Sequence, residues 1–333
     1  MIAGRRQRLG GRLARLLPSI VAGLAAASIL VACGSSTADD GTAAASTQGQ
    51  SAASPPPSAA TTSSTVPGAP GSCRFGVSQN GRIAPLICGS ARRLSNRTSR
   101  KVPLVIALHG SEGNPVAMQG LSHFAQVADQ HGFIVAFLGS SNLQHPWSPP
   151  SDLPYVSGMI DALTRTYNVD ARRVYVTGFS AGGAETWLAG CKLSKQVAAI
   201  AIVSGAMNGK LYRSCAPSRP VSELLMVGDA DGTRWTGIPG RLPSPQQTTA
   251  RWRGIDSCTS TPVRVRQVSA VQQTTWTSCK AGAAVALYVV QGAGHVWPPI
   301  GIGAPRDYSA SEAVWAFLSA HAAPAGNHPA RVP

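Results

Sequence analysis

The sequence predicts an α/β protein, a single domain built on a doubly wound, mostly parallel sheet, and three observations lead there. Apolar runs of strand length, rich in β-branched residues, alternate along the chain with amphipathic stretches of helical period. The 333 residues, 44% of them apolar, suffice for one large core plus extensions. The stretch RVYVTGFSAGGAETW, residues 173–187, passes from a buried strand through glycines into an alanine-rich helix, with Ser180 at the bend. Strands interleaved with helices pair in parallel, because each crossover helix returns the chain to the same end of the sheet.

VPLVIALHG (102–110) is the first core strand, an unbroken apolar run of the kind a strand covered on both faces requires. A helix near 115–130 follows, then the strand FIVAFLG (133–139) and a helix near 153–167. The strand 173–177 leads to Ser180, and a helix over 184–193 leads away from it. AAIAIVSG (198–205) and LLMVGD (224–229) are two more buried strands, with a helix expected near 244–253. PVRVRQVSAVQQTTWTS (262–278) reads as a hairpin, AVALYVVQG (284–292) as the last core strand and 310–321 as the last helix. In such a sheet the loops at the C-terminal ends of the strands hold the functional groups.

The N-terminal part is of a different kind. Arg5, Arg6, Arg8, Arg12 and Arg15 precede an apolar stretch, 16–30, too short to span a bilayer comfortably, so 1–32 reads as an export signal. Arg5-Arg6 hints at twin-arginine export, but the flanking residues match poorly and the route stays open. The signal closes on Leu30-Val31-Ala32-Cys33, which resembles the lipobox of bacterial lipoproteins, with Cys33 as the lipidated residue. Two or more acyl chains on one residue give a stable membrane anchor. Residues 33–71 then form a Ser/Thr/Ala/Pro tether whose only charges are Asp39 and Asp40, too poor in large apolar groups to fold. The folded domain spans 72–322 and a flexible tail 323–333. The expected location is the extracytoplasmic side of a bacterial cell envelope, lipid-anchored to the membrane or secreted.

Without the signal, 24 basic residues stand against 14 acidic ones, about +10. The arginines are scattered, with no aromatic-basic cluster, so no nucleic-acid partner is expected and the charge suits anionic envelope surfaces. Besides Cys33 there are six cysteines, Cys73, Cys88, Cys191, Cys215, Cys258 and Cys279, with no C-x-x-C to suggest zinc or redox chemistry. In an exported domain an even set is most simply three disulfides, and neighbour pairing is the economical choice among fifteen. Cys258 and Cys279 flank the hairpin, and Cys73 and Cys88 bracket a short opening segment.

A strand, a sharp turn and a helix hold a serine in a strained backbone with its hydroxyl lifted off the sheet, provided its neighbours are small. Gly178 and Gly182 meet that demand, and Ala181 places a backbone N–H where an oxyanion donor is needed at a helix start. His109-Gly110 before Ser111 offers a second such N–H, from Ser111. LLMVGDAD brings Asp229 and Asp231, and VVQGAGHVWPP brings His295 after a Gly-Ala-Gly turn. Nucleophile, acid and base in that chain order is the α/β-hydrolase order. Asp229 and Asp231 are two apart and point the same way in an extended stretch, so spacing alone does not choose between them. His123, His131, His321 and His328 read as solvated surface residues, and His145 is left undecided.

LHGSEGN, VDARRVYVTGFSAGG, GDADG, SPQQTTARWRGIDSC and GAGHVWP together resemble the esterase family that contains polyhydroxybutyrate depolymerases and feruloyl or acetyl-xylan esterases, in order from about 73 to about 322. The resemblance implies an α/β-hydrolase fold, Ser180 as nucleophile, Asp231 as acid, His295 as base, and Ser111 and Ala181 as oxyanion donors. It implies an ester substrate and no metal or organic cofactor. Two departures bear on the substrate side: Ser111 stands where many relatives carry cysteine after His-Gly, and GTRWTG follows the acid where they often have a Val-Pro-Tyr type segment. Members that degrade solid polyester often add a separate surface-binding domain, and here 38 residues with a Pro/Ala-rich end follow His295, so crystalline polymer is not the expected substrate. Trp147, Tyr155, Trp235 and Trp297 lie near element ends that face the site; of these Trp147 and Trp297, with His109, are the candidates for substrate contact. No long insertion suggests a lid, so an open groove is expected. The alternatives are an envelope acyltransferase on the same scaffold, which would transfer acyl groups faster than it hydrolyses them, and a non-catalytic binding lipoprotein, which would need a damaged triad. Oligomeric state is not readable.

Overall fold

The computed structural model describes residues 72–76, 84–89, 94, 99–140, 147, 151–232, 242–259, 261–262 and 264–324. The export signal, Cys33, the tether, His145, Trp235, His328 and the tail beyond 324 lie outside them.

A ten-stranded sheet runs through the described residues in the order β1-β2-β4-β3-β5-β6-β7-β10-β9-β8. Its strands are β1 (Ser72–Phe75), β2 (Leu86–Gly89), β3 (Val102–Leu108), β4 (Ile134–Leu138), β5 (Val169–Phe179), β6 (Ala199–Val203), β7 (Ser222–Gly228), β8 (Arg264–Val268), β9 (Val271–Trp276) and β10 (Val285–Val290). The six central strands, β4-β3-β5-β6-β7-β10, pair in parallel, and the antiparallel β1-β2 and β9-β8 lie at the two edges. The expectation of a mostly parallel, doubly wound sheet therefore holds.

Helices cover both faces. On one, α3 (Leu153–Thr166), α4 (Ala181–Lys192) and α6 (Pro245–Ile255) bury Ile160, Trp187 and Trp252 in a common cluster with Leu104, Val176, Ile200 and Leu225 from the strands. On the other, α1 (Pro115–Ser122), α2 (Phe124–His131) and α7 (Ala310–Ser319) pack Met118, Phe124, Val314 and Trp315 against Val105, Tyr175 and Met226. Because both faces are covered, β3, β4, β6 and β7 are buried along their whole length, which is why they read as unbroken apolar runs. A short α5 (Gly209–Ser214) completes the set. No helix among the described residues is long and apolar enough to cross a membrane.

The cysteines pair as neighbours. Cys73 and Cys88 face each other across the β1/β2 ladder, Cys191 at the end of α4 joins Cys215 at the end of α5, and Cys258 and Cys279 close the β8/β9 hairpin.

Three expectations need correction. The helix expected near 115–130 is two helices, because His123 adopts a left-handed backbone (φ 53°) and the Ser122 hydroxyl turns back to the Met118 carbonyl at 2.7 Å while accepting from the Phe124 N–H. β1 and β2 are strands where only a short opening segment was expected; four residues each, they carry too little periodicity to read. His321 is not a solvated surface residue. It lies half-buried against the Phe317 ring at 4.8 Å, its carbonyl accepts the Tyr175 hydroxyl at 2.8 Å, and burial pushes its imidazole down to about 4.

Two carboxyls are buried near the N-terminal end of β7. Glu223 is fully buried on the strand and Asp256 at the end of α6, with Asp256 accepting the Val221 N–H at 3.2 Å. Burial, reinforced by the neighbouring Asp256, raises Glu223 well above the ordinary carboxyl range; burial raises Asp256 to about 7 against the pull of the Val221 N–H, Trp252 and Arg219. Unfolded, both groups titrate near pH ~4. The folded state therefore holds more protons above that pH, and the stability these groups confer is complete in acid and is lost as pH rises through their folded values. Glu223→Met removes the larger of these liabilities. Its melting temperature should exceed the parent's by about 5 °C at pH 8 and by less than about 2 °C at pH 4. An equal gain at both pH values would contradict this account of Glu223.

Candidate active site

Ser180 stands between β5 and α4 with φ 54° and ψ −113°, a backbone that side-chain-bearing residues rarely adopt. The turn is held from both sides. The Ser180 N–H donates to the Val203 carbonyl at 3.1 Å, and the Ala184 N–H returns to the Ser180 carbonyl at 3.1 Å. A Cβ on Gly178 would overlap the Gly182 carbonyl, and one on Gly182 would overlap the carbonyls of Leu108 and His109. The two glycines thus let the first turn of α4 press against the end of β3. Ala181 opens that helix, and among the described residues its N–H has no backbone acceptor, one of the unpaired donors at a helix N-terminus.

The opposite wall is the loop after β3. A Cβ added to Gly110 would lie 3.4 Å from the Ser180 Cβ, so the backbone there runs alongside the serine. Ser111 is exposed at the start of a tight turn closed by Gly113 N–H to the Gly110 carbonyl at 3.2 Å, and its N–H has no acceptor among the described residues.

His109 has a different part from the substrate contact expected of it. It is buried, its Nε2 accepts the Ser140 N–H at 3.1 Å, and its Nδ1 lies 2.7 Å from the Gly110 carbonyl. An acceptor at Nε2 leaves the proton on Nδ1, so the neutral ring donates to Gly110. Burial lowers its pKa, with the Gly110 bond partly opposing, which keeps that neutral form. Since the carbonyl of Gly110 and the N–H of Ser111 belong to one planar trans peptide, holding the first orients the second the opposite way. Trp147 is likewise buried: its indole N–H donates to the His109 carbonyl at 2.8 Å and its ring packs 5.2 Å from the imidazole. The sequence carried one signal for this role, a histidine directly after a buried strand and before glycine, but nothing in it showed which way the ring turns.

On the third side, Asp231 and His295 meet. Asp231 Oδ2 lies 2.8 Å from His295 Nδ1; the aspartate side chain is 1% exposed and the histidine 36%, so Nδ1 faces the protein and the rest of the ring faces outward. Asp229, which spacing left as an equal choice, is elsewhere: its Oδ1 accepts the Gly292 N–H at 2.7 Å and its own N–H donates to the Val290 carbonyl, tying the end of β7 to the end of β10. The His295 ring packs 5.0 Å from Phe179, the residue before Ser180. No hydrogen bond joins the Ser180 hydroxyl to His295 among the described residues, a separation familiar for such pairs before substrate closes them.

Trp297 is fully buried. Its indole N–H donates to the Ser311 hydroxyl at 3.0 Å, and its ring meets Phe124 and Phe179 edge-on at 6.1 and 6.4 Å, so it forms the floor beneath Phe179 instead of a substrate wall. Tyr155 is partly buried within the cluster around α3. A cleft of about 580 Å³ between the β8–β10 edge and α7 includes none of Ser180, Asp231 and His295 among its lining residues. Among the described residues no three of His, Cys, Asp or Glu are grouped so as to hold a metal ion.

Gly178→Ala should destabilise the protein by more than about 3 kcal/mol in urea unfolding, because the new methyl group meets a backbone carbonyl that can move only with α4. A loss below about 1 kcal/mol would mean that the turn is looser than its contacts indicate.

No family model matches the chain. It is 29% identical over 196 residues to a bifunctional acetylxylan esterase/xylanase of Neocallimastix patriciarum, and 27% identical over 222 residues to feruloyl esterase B of Piromyces equi. These matches cover 58% and 59% of this chain but only 28% and 40% of those proteins, well under two thirds of their length. In fold it is similar to the acetyl xylan esterase from Aspergillus awamori, with a TM-score of 0.56 at 17% identity over 75% of this chain and 99% of that one. The strained strand-to-helix turn at Ser180, the Asp231–His295 pair at the ends of β7 and β10 and the mostly parallel sheet are those of an α/β-hydrolase fold, and the chain is similar in sequence to acetylxylan and feruloyl esterases.

Proposed function

We propose that the protein is an exported serine esterase that hydrolyses carboxylic esters through Ser180, His295 and Asp231. The observation that carries this reading is the 2.8 Å bond between Asp231 and His295 Nδ1, in a fold whose strand-to-helix turn holds Ser180 at positive φ. With Nδ1–H donated to the carboxylate, Nε2 is left with its lone pair and takes the Ser180 proton as Oγ attacks the ester carbonyl. The oxyanion is met by the N–H groups of Ala181 and Ser111. As the tetrahedral intermediate collapses, His295 hands its proton to the departing alcohol oxygen, leaving an acyl group on Ser180. Water enters where the alcohol left and gives a proton to Nε2 as its oxygen attacks the acyl carbon; Nε2 then returns that proton to Oγ as the acyl–Oγ bond breaks, freeing the acid and restoring Ser180 and His295. The scheme uses no metal or organic cofactor.

The resemblance to acetylxylan and feruloyl esterases supports phenolic, acetylated-sugar or short hydroxyalkanoate esters as the substrate range. The lipobox-like Leu30-Val31-Ala32-Cys33 and the tether after it support attachment to the outer face of a bacterial membrane through lipid on Cys33.

A fluorophosphonate probe should label Ser180, and Ser180→Ala should abolish both labelling and hydrolysis of p-nitrophenyl acetate, at a cost near 10⁶ in turnover (order of magnitude). Asp231→Asn should lower turnover by roughly 10⁴ through loss of the correct imidazole tautomer, and Asp229→Asn by less than about tenfold. Undiminished activity in Ser180→Ala would end the esterase reading, and the reverse order of the two aspartate variants would reassign the acid.

Expressed in an exporting bacterium, the mature chain should begin at Cys33 and carry the mass of a diacylglyceryl group. A chain free in the medium with an unmodified N-terminus elsewhere would refute the anchor.

A further inference from the structure

The turn that follows His295 is built in a way that the triad alone does not require. Trp297 anchors it in the core, and four hydrogen bonds lock it: Ile300 N–H to the Trp297 carbonyl at 2.9 Å, Ala304 N–H to Gly301 at 3.2 Å, Ala310 N–H to Pro298 at 2.9 Å and Gly294 N–H to Ile302 at 3.2 Å. Gly301 and Gly303 both have positive φ (118° and 76°). A Cβ on the first would overlap the Val296 side chain, and one on the second would overlap the Gly292 carbonyl. Side chains are thus excluded on both sides of Ile302, while Ile302 itself is 91% exposed and Ile300 is 38% exposed. A single exposed aliphatic residue is ordinary on a protein surface. Two of them, two positions apart and fixed on a turn that is hydrogen-bonded to the residue before the candidate base, are displayed by the fold.

Position says which part of a substrate they meet. In the proposed scheme, on which this inference rests, the proton carried by His295 passes to the alcohol oxygen, so the alcohol half of the ester must lie over the outward edge of that ring. The Gly294–Ile302 bond ties the isoleucine turn to the residue next to His295 in the chain. We propose that Ile302, with Ile300, is an apolar lip on the leaving-alcohol side of the site, and that the enzyme selects esters whose alcohol portion presents an alkyl or aryl face to it. Covering these side chains removes apolar surface from water on both partners, a gain that a hydroxyl-rich alcohol does not match.

The test compares kcat/KM for hexyl acetate and methyl acetate, which differ only in the alcohol, and for methyl hexanoate and methyl acetate, which differ only in the acyl group. Active-site concentrations are titrated with a fluorophosphonate, so that misfolded protein does not enter the ratios. The parent should prefer hexyl over methyl acetate, Ile302→Ser should shrink that preference by about tenfold, the scale of losing contact with one isoleucine side chain, and Ile302→Leu should restore most of it. The hexanoate-to-acetate ratio should be the same in all three. Hydrolysis with an unchanged alcohol ratio in Ile302→Ser, or a change confined to the acyl ratio, would overturn this inference alone. Absence of both hydrolysis and Ser180 labelling in the parent would overturn the esterase reading, and this inference with it.

Discussion

The close contact of α4 with the end of β3 is the constraint on which the site depends. The carbonyls of Leu108 and His109 occupy the space a side chain on residue 182 would need, so the helix approaches the strand only because that residue is glycine. Gly178 lets the helix fold back on its own strand in the same way. The result fixes two things at once: the positive-φ backbone of Ser180 and the nearness of the β3 loop to the serine. A residue held in such a region costs on the order of 1–3 kcal/mol and persists only where surrounding packing outweighs it. Here that packing is dense. The Trp187 indole donates to the Gly205 carbonyl at 3.0 Å and its ring lies 5.3 Å from Trp252, while Cys191 ties the far end of the helix to Cys215.

Around that contact the polar groups divide between the candidate site and the scaffold that holds it, and residue type does not predict which is which. Two histidines follow apolar strands. His295 remains partly exposed with one nitrogen on Asp231, and His109 is sealed in with both nitrogens bonded to backbone. Two aspartates follow β7, and they divide likewise between His295 and the Gly292 N–H. In each pair the scaffolding member spends its hydrogen-bonding capacity on main-chain groups that would otherwise be left without partners at loop ends. That matters more than its weak contribution to net stability, because an unsatisfied buried group costs more than a satisfied one gains.

The aromatic residues near the site follow the same division. Trp147 and Trp297 are large, apolar and near the ends of elements expected to face the site, which makes them candidates for substrate contact. Both are buried, and each places its single N–H donor on a protein acceptor, so they support the loops that carry His109 and His295. On the turn that follows His295 the exposed aliphatic side chains are instead those of Ile300 and Ile302.

The sequence by itself determined the class of sheet and which chain segments form its central strands, made neighbour pairing the economical choice for the cysteines, and marked the segments of the candidate site. Each of these is local: buried parallel strands need unbroken apolar runs, a strained turn needs small residues at fixed offsets, and neighbouring cysteines around a hairpin have few other partners within reach. Tertiary structure decided the rest. It broke the helix near 115–130 at His123, buried His321 against Phe317, separated the roles of Asp229 and Asp231, and turned His109 inward. These outcomes depend on which groups arrive from strands and loops far away in the chain, such as the Ser140 N–H that meets His109 and the Gly292 N–H that meets Asp229. A side chain's role follows from the partners that reach it, and no periodicity or motif in one segment encodes the position of another segment's backbone.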